Sequence, residues 1–66
     1  MKGSEFIRMV RKMGKQNGVA IHLVEERGKG SHVTLYYGER FTIVKDRKKE
    51  IGPGLAAAMK KQLGIN

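Results

Sequence analysis

The chain has 66 residues, with 14 Lys and Arg against six Asp and Glu, which gives a formal net charge of +8. This length predicts one domain over residues 1–66, and the absence of cysteine excludes a disulfide framework or a thiolate metal site. No apolar run approaches the ~20 residues that span a membrane, so we expect a cytoplasmic protein with no membrane association.

The strong positive charge favours polyanionic partners. Nucleic acid is the leading partner class, and an acidic protein is the second. A solvated basic surface that only aids solubility is the third interpretation, but the cations are grouped along the chain and not evenly scattered.

The first predicted element is an amphipathic helix that begins near Ser4 and ends at Gly14. Ser4 is a candidate N-cap, and Glu5 lies in the first turn, where the helix dipole favours negative charge. Apolar and cationic side chains recur at helical spacing on opposite sides. The apolar set is Phe6, Ile7, Met9, Val10 and Met13, and the cationic set is Arg8, Arg11, Lys12 and Lys15. A polar turn is expected over residues 16–18.

Three strands are predicted next, over residues 19–24, 31–37 and 41–45. Both sides of the first strand are fairly apolar, so its orientation stays open. His22 lies in its middle, where it is expected to be packed or to face a partner. The second strand alternates clearly. Its two predicted faces are Val33, Leu35 and Tyr37 on one side and His32, Thr34 and Tyr36 on the other.

The connection between the second and third strands has two possible lengths. A three-residue loop over residues 38–40 pairs Leu35 with Ile43 and Tyr37 with Phe41, which brings both apolar sets to one face. A two-residue turn pairs Leu35 with Thr42 instead. Because a slip of one residue turns every side chain to the other face, we expect the longer loop.

Residues 45–50 are predicted to form an exposed, highly charged loop before a second helix. This helix is expected to begin at Pro53 and to end at Gly64, after which Ile65 packs back onto the core. Its predicted apolar stripe is Leu55, Ala58, Met59 and Leu63. The order α-β-β-β-α predicts an α+β fold in two layers, a three-stranded antiparallel sheet with both helices on one face. Double-stranded RNA-binding domains share this order.

A basic, glycine-punctuated turn precedes the second strand and leads to His32. Histidine exchanges protons near neutral pH, and cations beside it suit chemistry on a phosphodiester. His32 is therefore the candidate general base. The candidate phosphate-binding residues are Arg27, Lys29, Gly30, Ser31, Lys45, Arg47, Lys48 and Lys49. The two histidines have no carboxylate at ligand spacing, so neither a metal site nor a cofactor is expected.

Four patches of this sequence resemble the HicA family of bacterial toxins. They lie at residues 2–7 (KGSEFI), 28–32 (GKGSH), 49–51 with 54–55 (KEI and GL), and 61–65 (KQLGI). The resemblance implies a HicA-like fold similar to the double-stranded RNA-binding domain across residues 1–66. It also implies endoribonucleolytic cleavage of messenger RNA, a catalytic histidine at His32 and a HicB-type antitoxin as partner.

The chain departs from the family pattern after the third strand. A proline and a further histidine are frequent there in the family, but this chain has Val44-Lys45-Asp46. A threonine often follows the glycine of the last helix, where this chain has Leu55. The resemblance therefore supplies one candidate acid–base residue, His32, and the group that protonates the leaving oxygen is not assigned.

Three functional hypotheses follow. The first is a metal-independent ribonuclease toxin, which predicts that cleavage depends on His32. The second is a non-catalytic basic RNA-binding module, which predicts salt-sensitive RNA affinity without strand scission. The third is a protein–protein module whose basic surface serves an acidic partner.

Overall fold

A computed structural model describes residues 1–25 and 32–65 of the chain. Two helices and three strands follow in the order predicted from the sequence: α1 (Gly3–Asn17), β1 (Ile21–Glu25), β2 (Val33–Tyr37), β3 (Arg40–Val44) and α2 (Pro53–Leu63). The strands form one antiparallel sheet with β2 in the centre. The predicted α+β architecture is thus confirmed.

Both helices cover the same face of this sheet. Phe6 and Val10 of α1, with Met59 and Leu63 of α2, pack into one cluster with the inward side chains of the sheet. The sheet residues of this cluster are Val33, Leu35 and Val44, all at most 1% exposed. We call this the covered face. Among the described residues, no helix packs against the opposite face, which we call the open face.

Helix α1 is longer at both ends than the sequence predicts. It begins at Gly3, so the proposed N-cap role of Ser4 is wrong. The backbone N–H groups of Gly3 and Ser4 instead donate to the carbonyl oxygens of Lys49 and Arg47, at 3.1 and 2.9 Å. Tertiary contacts thus satisfy the donors that a side-chain cap would otherwise satisfy.

The predicted end of α1 at Gly14 is also wrong. The helix continues to Asn17, and Gly18 ends it with the left-handed conformation (φ 68°) that glycine adopts most readily. Gly14 serves packing, since a Cβ there would lie 2.5 Å from the Ile21 side chain. Its missing side chain lets β1 approach the helix closely.

The sheet register corrects the predicted hairpin. Leu35 pairs with Thr42 and Tyr36 with Phe41, so the connection is the two-residue turn Gly38-Glu39. Gly38 has a positive φ of 63° at the first central position, as type II′ hairpin turns require. The slip of one residue turns Phe41 to the open face.

Thr42 and Val44 consequently lie on the covered face. Thr42 is only 2% exposed, and its hydroxyl donates a 2.5 Å hydrogen bond to Oε1 of Gln62 on α2. A buried threonine is tolerated here because its polar atom has a partner.

Helix α2 begins at Pro53 and ends at Gly64 as predicted, and Ile65 is 7% exposed after packing back onto the core. Its predicted stripe is only partly correct. Met59 and Leu63 are buried, but Leu55 is 55% exposed and Ala58 is exposed. Residues four apart drift around the axis because a turn contains 3.6 residues, which moves Leu55 to the margin of the buried stripe.

Candidate functional site

His32 lies immediately before β2, at the end of the sheet where β3 leads into residues 45–50. Val33, the next residue, points into the core and pairs with Val44. Lys45 follows β3 directly, beyond this pair. His32 is half-buried, so its imidazole is not sealed inside the core.

Residues 45–50, which we call the basic loop, carry a group of exposed cations at this same end of the sheet. Lys45, Lys48 and Lys49 are exposed. Arg47 is half-buried, and its Nη2 donates to the Glu25 carboxylate at 3.0 Å. The three lysines therefore present unpaired charge in the described part of the chain, whereas the charge of Arg47 is partly neutralised.

The basic loop is exposed, as predicted, but it is anchored to the start of α1. Besides the two hydrogen bonds from Gly3 and Ser4, the Ile51 N–H donates to the Met1 carbonyl at 2.6 Å. The Met1 amino group forms an ion pair with Glu50. These contacts hold the backbone that carries the lysines in a fixed position beside the sheet.

Gly3 makes this anchoring possible. A Cβ at this position would press on the Asp46 carbonyl oxygen and lie 2.9 Å from the Arg47 Cα. Its φ is not positive, so the requirement is close approach and not backbone conformation. The glycine therefore couples the first turn of α1 to the placement of the basic loop.

The other predicted phosphate-binding residues, Arg27, Lys29, Gly30 and Ser31, lie outside the residues that the structure describes. Glu25, the last described residue before them, ends β1 opposite Val33. Its carboxylate is paired with Arg47 of the basic loop.

The open face carries a row of three flat side chains that sequence reasoning missed. His22, Tyr36 and Phe41 pair across β1, β2 and β3. The Tyr36 and Phe41 rings lie 5.6 Å apart at 45°, and Phe41 is 53% exposed. His22 is exposed, so packing within this chain does not explain it. The glycine-first turn at Gly38 was the available signal for this register.

A second row on the open face, nearer to His32, is partly apolar. Val24, Thr34 and Ile43 pair across the three strands; Val24 is 50% and Ile43 39% exposed, whereas Thr34 between them is only 6% exposed. Together the two rows expose more apolar surface than the strand pattern predicts. Since contiguous exposed apolar patches mark interaction sites, these side chains make the open face a candidate for one.

Comparison with known proteins decides the family. A family model described as HicA toxin of bacterial toxin-antitoxin matches residues 3–65, nearly the whole chain. The chain belongs to the HicA toxin family. Neither the curated proteins nor the solved structures gave a match. The likeness of this HicA toxin to double-stranded RNA-binding domains therefore stays a prediction.

Family membership assigns this HicA-family chain to the toxin side of a toxin–antitoxin pair. Within residues 1–25 and 32–65, no group of three or more histidine and carboxylate side chains is placed to hold a metal ion. Neither helix in those ranges is long and apolar enough to cross a bilayer.

Proposed function

We propose that this HicA-family toxin is an endoribonuclease that cleaves messenger RNA in the cytoplasm, with His32 as general base. The observation that carries the proposal is the position of His32: it is half-buried at the end of the sheet where the anchored basic loop begins. Family membership over residues 3–65 supports the same activity.

The proposed reaction uses the 2′-hydroxyl of the RNA as nucleophile. His32 takes the proton of this hydroxyl while the 2′-oxygen attacks the adjacent phosphorus. The bond from phosphorus to the 5′-oxygen breaks, and the products are a 2′,3′-cyclic phosphate and a 5′-hydroxyl that receives a proton from water or a nearby lysine. No metal ion takes part in this sequence of steps.

The cations of the site have a separate role in this reaction. Negative charge builds up on the phosphoryl oxygens in the transition state, and fixed positive groups stabilise it. Lys45 follows the Val33–Val44 pair next to His32, and Lys48 and Lys49 stand on an anchored backbone at the same end of the sheet, so this backbone needs little reorganisation when RNA binds. Arg27, Lys29, Gly30 and Ser31 complete the proposed phosphate site, and Arg47 contributes less because it is paired with Glu25.

A HicB-type antitoxin is the proposed protein partner. The exposed apolar side chains of the open face, Val24, Phe41 and Ile43, support a protein partner there, since burial of such side chains is favourable. Coexpression with the neighbouring antitoxin gene is expected to restore growth of cells that express the toxin. Continued growth arrest would contradict this pairing.

The test of the activity compares His32→Ala with His22→Ala on one defined RNA. Removal of a positioned general base is expected to lower the cleavage rate by about 10²–10⁴-fold, with RNA affinity and fold retained. His22→Ala is the matched control, because it removes the other histidine, which is exposed on the open face opposite Tyr36 and is not part of the proposed site. This variant should cleave normally.

Two results would contradict the proposal. Cleavage by His32→Ala at the parental rate would show that His32 is not the general base. Salt-sensitive RNA binding without any scission by highly purified wild-type protein would favour the non-catalytic RNA-binding module instead. Growth arrest on induction in a bacterium, lost in His32→Ala, is the corresponding cellular readout.

A further inference from the structure

The outward face of α1 carries four cations that the proposed active site does not use. Arg8, Arg11, Lys12 and Lys15 are all exposed. They occupy positions i, i+3, i+4 and i+7, which lie on one side of an α-helix. The apolar residues of α1 point the other way into the core. We call these four residues the α1 cation stripe.

The stripe is not neutralised by the described acidic residues. Neither ion pair found within residues 1–25 and 32–65 includes a member of it. The acids near α1 have other partners: Glu5 accepts from the Lys2 N–H at 2.7 Å, and Glu25 binds Arg47. Like charges spaced three and four residues apart destabilise a helix. The helix therefore bears a concentration of charge that its own fold does not require.

The stripe begins where the basic loop is anchored. Ser4 stands one turn before Arg8 on the same side of the helix, and its N–H donates to the Arg47 carbonyl. From there α1 runs to the other end of the sheet, where the Asn17 amide donates to the Tyr37 hydroxyl at 2.9 Å. The stripe thus continues the charge of the basic loop along the helix for about 10 Å.

The composition of this surface indicates what it binds. Protein interfaces have apolar centres, where lysine is depleted although arginine is enriched. Members of the stripe have no exposed apolar residue between them, since Met9 and Met13 are half-buried against the core. Backbone phosphates, in contrast, are contacted by arginine and lysine side chains with no apolar component.

We propose that the α1 cation stripe binds the phosphate backbone of RNA that extends beyond the strand held at the basic loop. The ligand class is a run of consecutive phosphodiesters, recognised by charge and not by base sequence. This inference takes the identity of the polyanion from the proposed function, but it concerns binding and not cleavage.

The test measures affinity for a long 2′-O-methyl RNA, which the proposed reaction cannot cleave, against salt concentration. Each phosphate contact contributes roughly 0.7 to the slope of log affinity against log salt concentration. Replacing all four members of the stripe by Gln is therefore expected to reduce the steepness of this slope by about 3. Affinity at physiological salt should fall by about 100-fold. Glutamine is a good helix former, so α1 is expected to persist.

A pair of double variants gives the matched control. Lys12→Gln with Lys15→Gln is expected to lower the affinity by about tenfold. Lys60→Gln with Lys61→Gln removes the same number of positive charges from the last turn of α2 and should change the RNA affinity little. An equal loss in both double variants would overturn the proposal, because it would show an effect of net charge only.

Three further outcomes are decisive. An unchanged salt slope in the fourfold variant would overturn the proposal, and so would normal RNA affinity together with lost binding to the antitoxin. If the fourfold variant had a flattened salt slope but the wild-type protein never cleaved RNA, RNA binding by the stripe would be supported and the ribonuclease activity contradicted. Circular dichroism of each variant checks that α1 is retained.

Discussion

The two faces of the sheet are built from similar residues but have opposite roles. Leu35 and Val44 are almost fully buried on the covered face, while Phe41 and Ile43 are exposed on the open face. Each pair is apolar, so hydrophobicity does not distinguish them. The difference lies in their partners: both helices pack on one face, and residues 1–25 and 32–65 contain no helix that packs on the other. Stability should therefore depend on the covered face, and the proposed antitoxin contact on the open face.

The largest expected effect compares Leu35→Ala with Phe41→Ala. Leu35 is 0% exposed at the centre of the core, and its truncation should cost about 2–5 kcal/mol. Phe41 loses mainly its contact with Tyr36, so its truncation should cost about 1 kcal/mol or less. Chemical denaturation measures both free energies of unfolding.

A domain of this size has a total stability of only about 3–5 kcal/mol, so Leu35→Ala is expected to be largely unfolded at room temperature. Equal destabilisation by the two substitutions would show that the open face is covered in the free protein. A greater loss in Phe41→Ala would reverse the assignment of the faces.

The next effect concerns the close contact between the first turn of α1, which packs on the covered face, and the basic loop of the site. Gly3→Ala places a methyl group against the Asp46 carbonyl and should cost about 1–3 kcal/mol by forcing the basic loop away. Gly54→Ala is the matched control, because a Cβ there meets nothing within 4 Å. It should be neutral or stabilise α2 by up to about 1 kcal/mol.

Thermal unfolding of these two glycine variants gives the stability difference. RNA affinity provides the second readout, since Gly3→Ala displaces the lysines of the basic loop and Gly54→Ala does not. If Gly3→Ala were as stable as wild type, the close approach between α1 and the loop would be incorrect.

The smallest expected effect tests the polar residue on the covered face. Thr42→Val keeps the shape of the side chain and removes its hydrogen bond to Gln62. Gln62 is exposed, so water can replace the lost partner and the cost should stay below about 1 kcal/mol. A loss as large as that of Leu35→Ala, measured by the same denaturation, would mean that this bond holds α2 to the sheet.

Much of the fold was predictable from local patterns. Apolar periodicity located both helices and all three strands, and Pro53 and Gly64 marked the two ends of α2. Gly14 was misleading, because glycine serves equally as a helix end and as a point of close contact. The predicted hairpin register was wrong because the matching of apolar side chains was given more weight than the turn signal at Gly38. The register that forms buries Thr42, whose hydroxyl donates a hydrogen bond to Gln62 of α2.

The residues of the candidate site stay a prediction from the sequence, and their assembly was not predictable from it. His32 and the lysines of the basic loop were recognised as types suited to phosphate chemistry, and the family resemblance singled out His32. Their common position at one end of the sheet required the pairing of Val33 with Val44. The pairing of Arg47 with Glu25 joins residues far apart in the chain, and no local pattern predicts it.

The sequence by itself determined a small, basic α+β chain of the HicA family with its elements in order, since helix and strand periodicity and residue composition are local properties. Only the tertiary structure decided which side of β3 is buried and how the basic loop is anchored. Both depend on contacts between distant segments: the docking of α2 on Thr42, and the approach of Asp46 to a glycine at the start of α1.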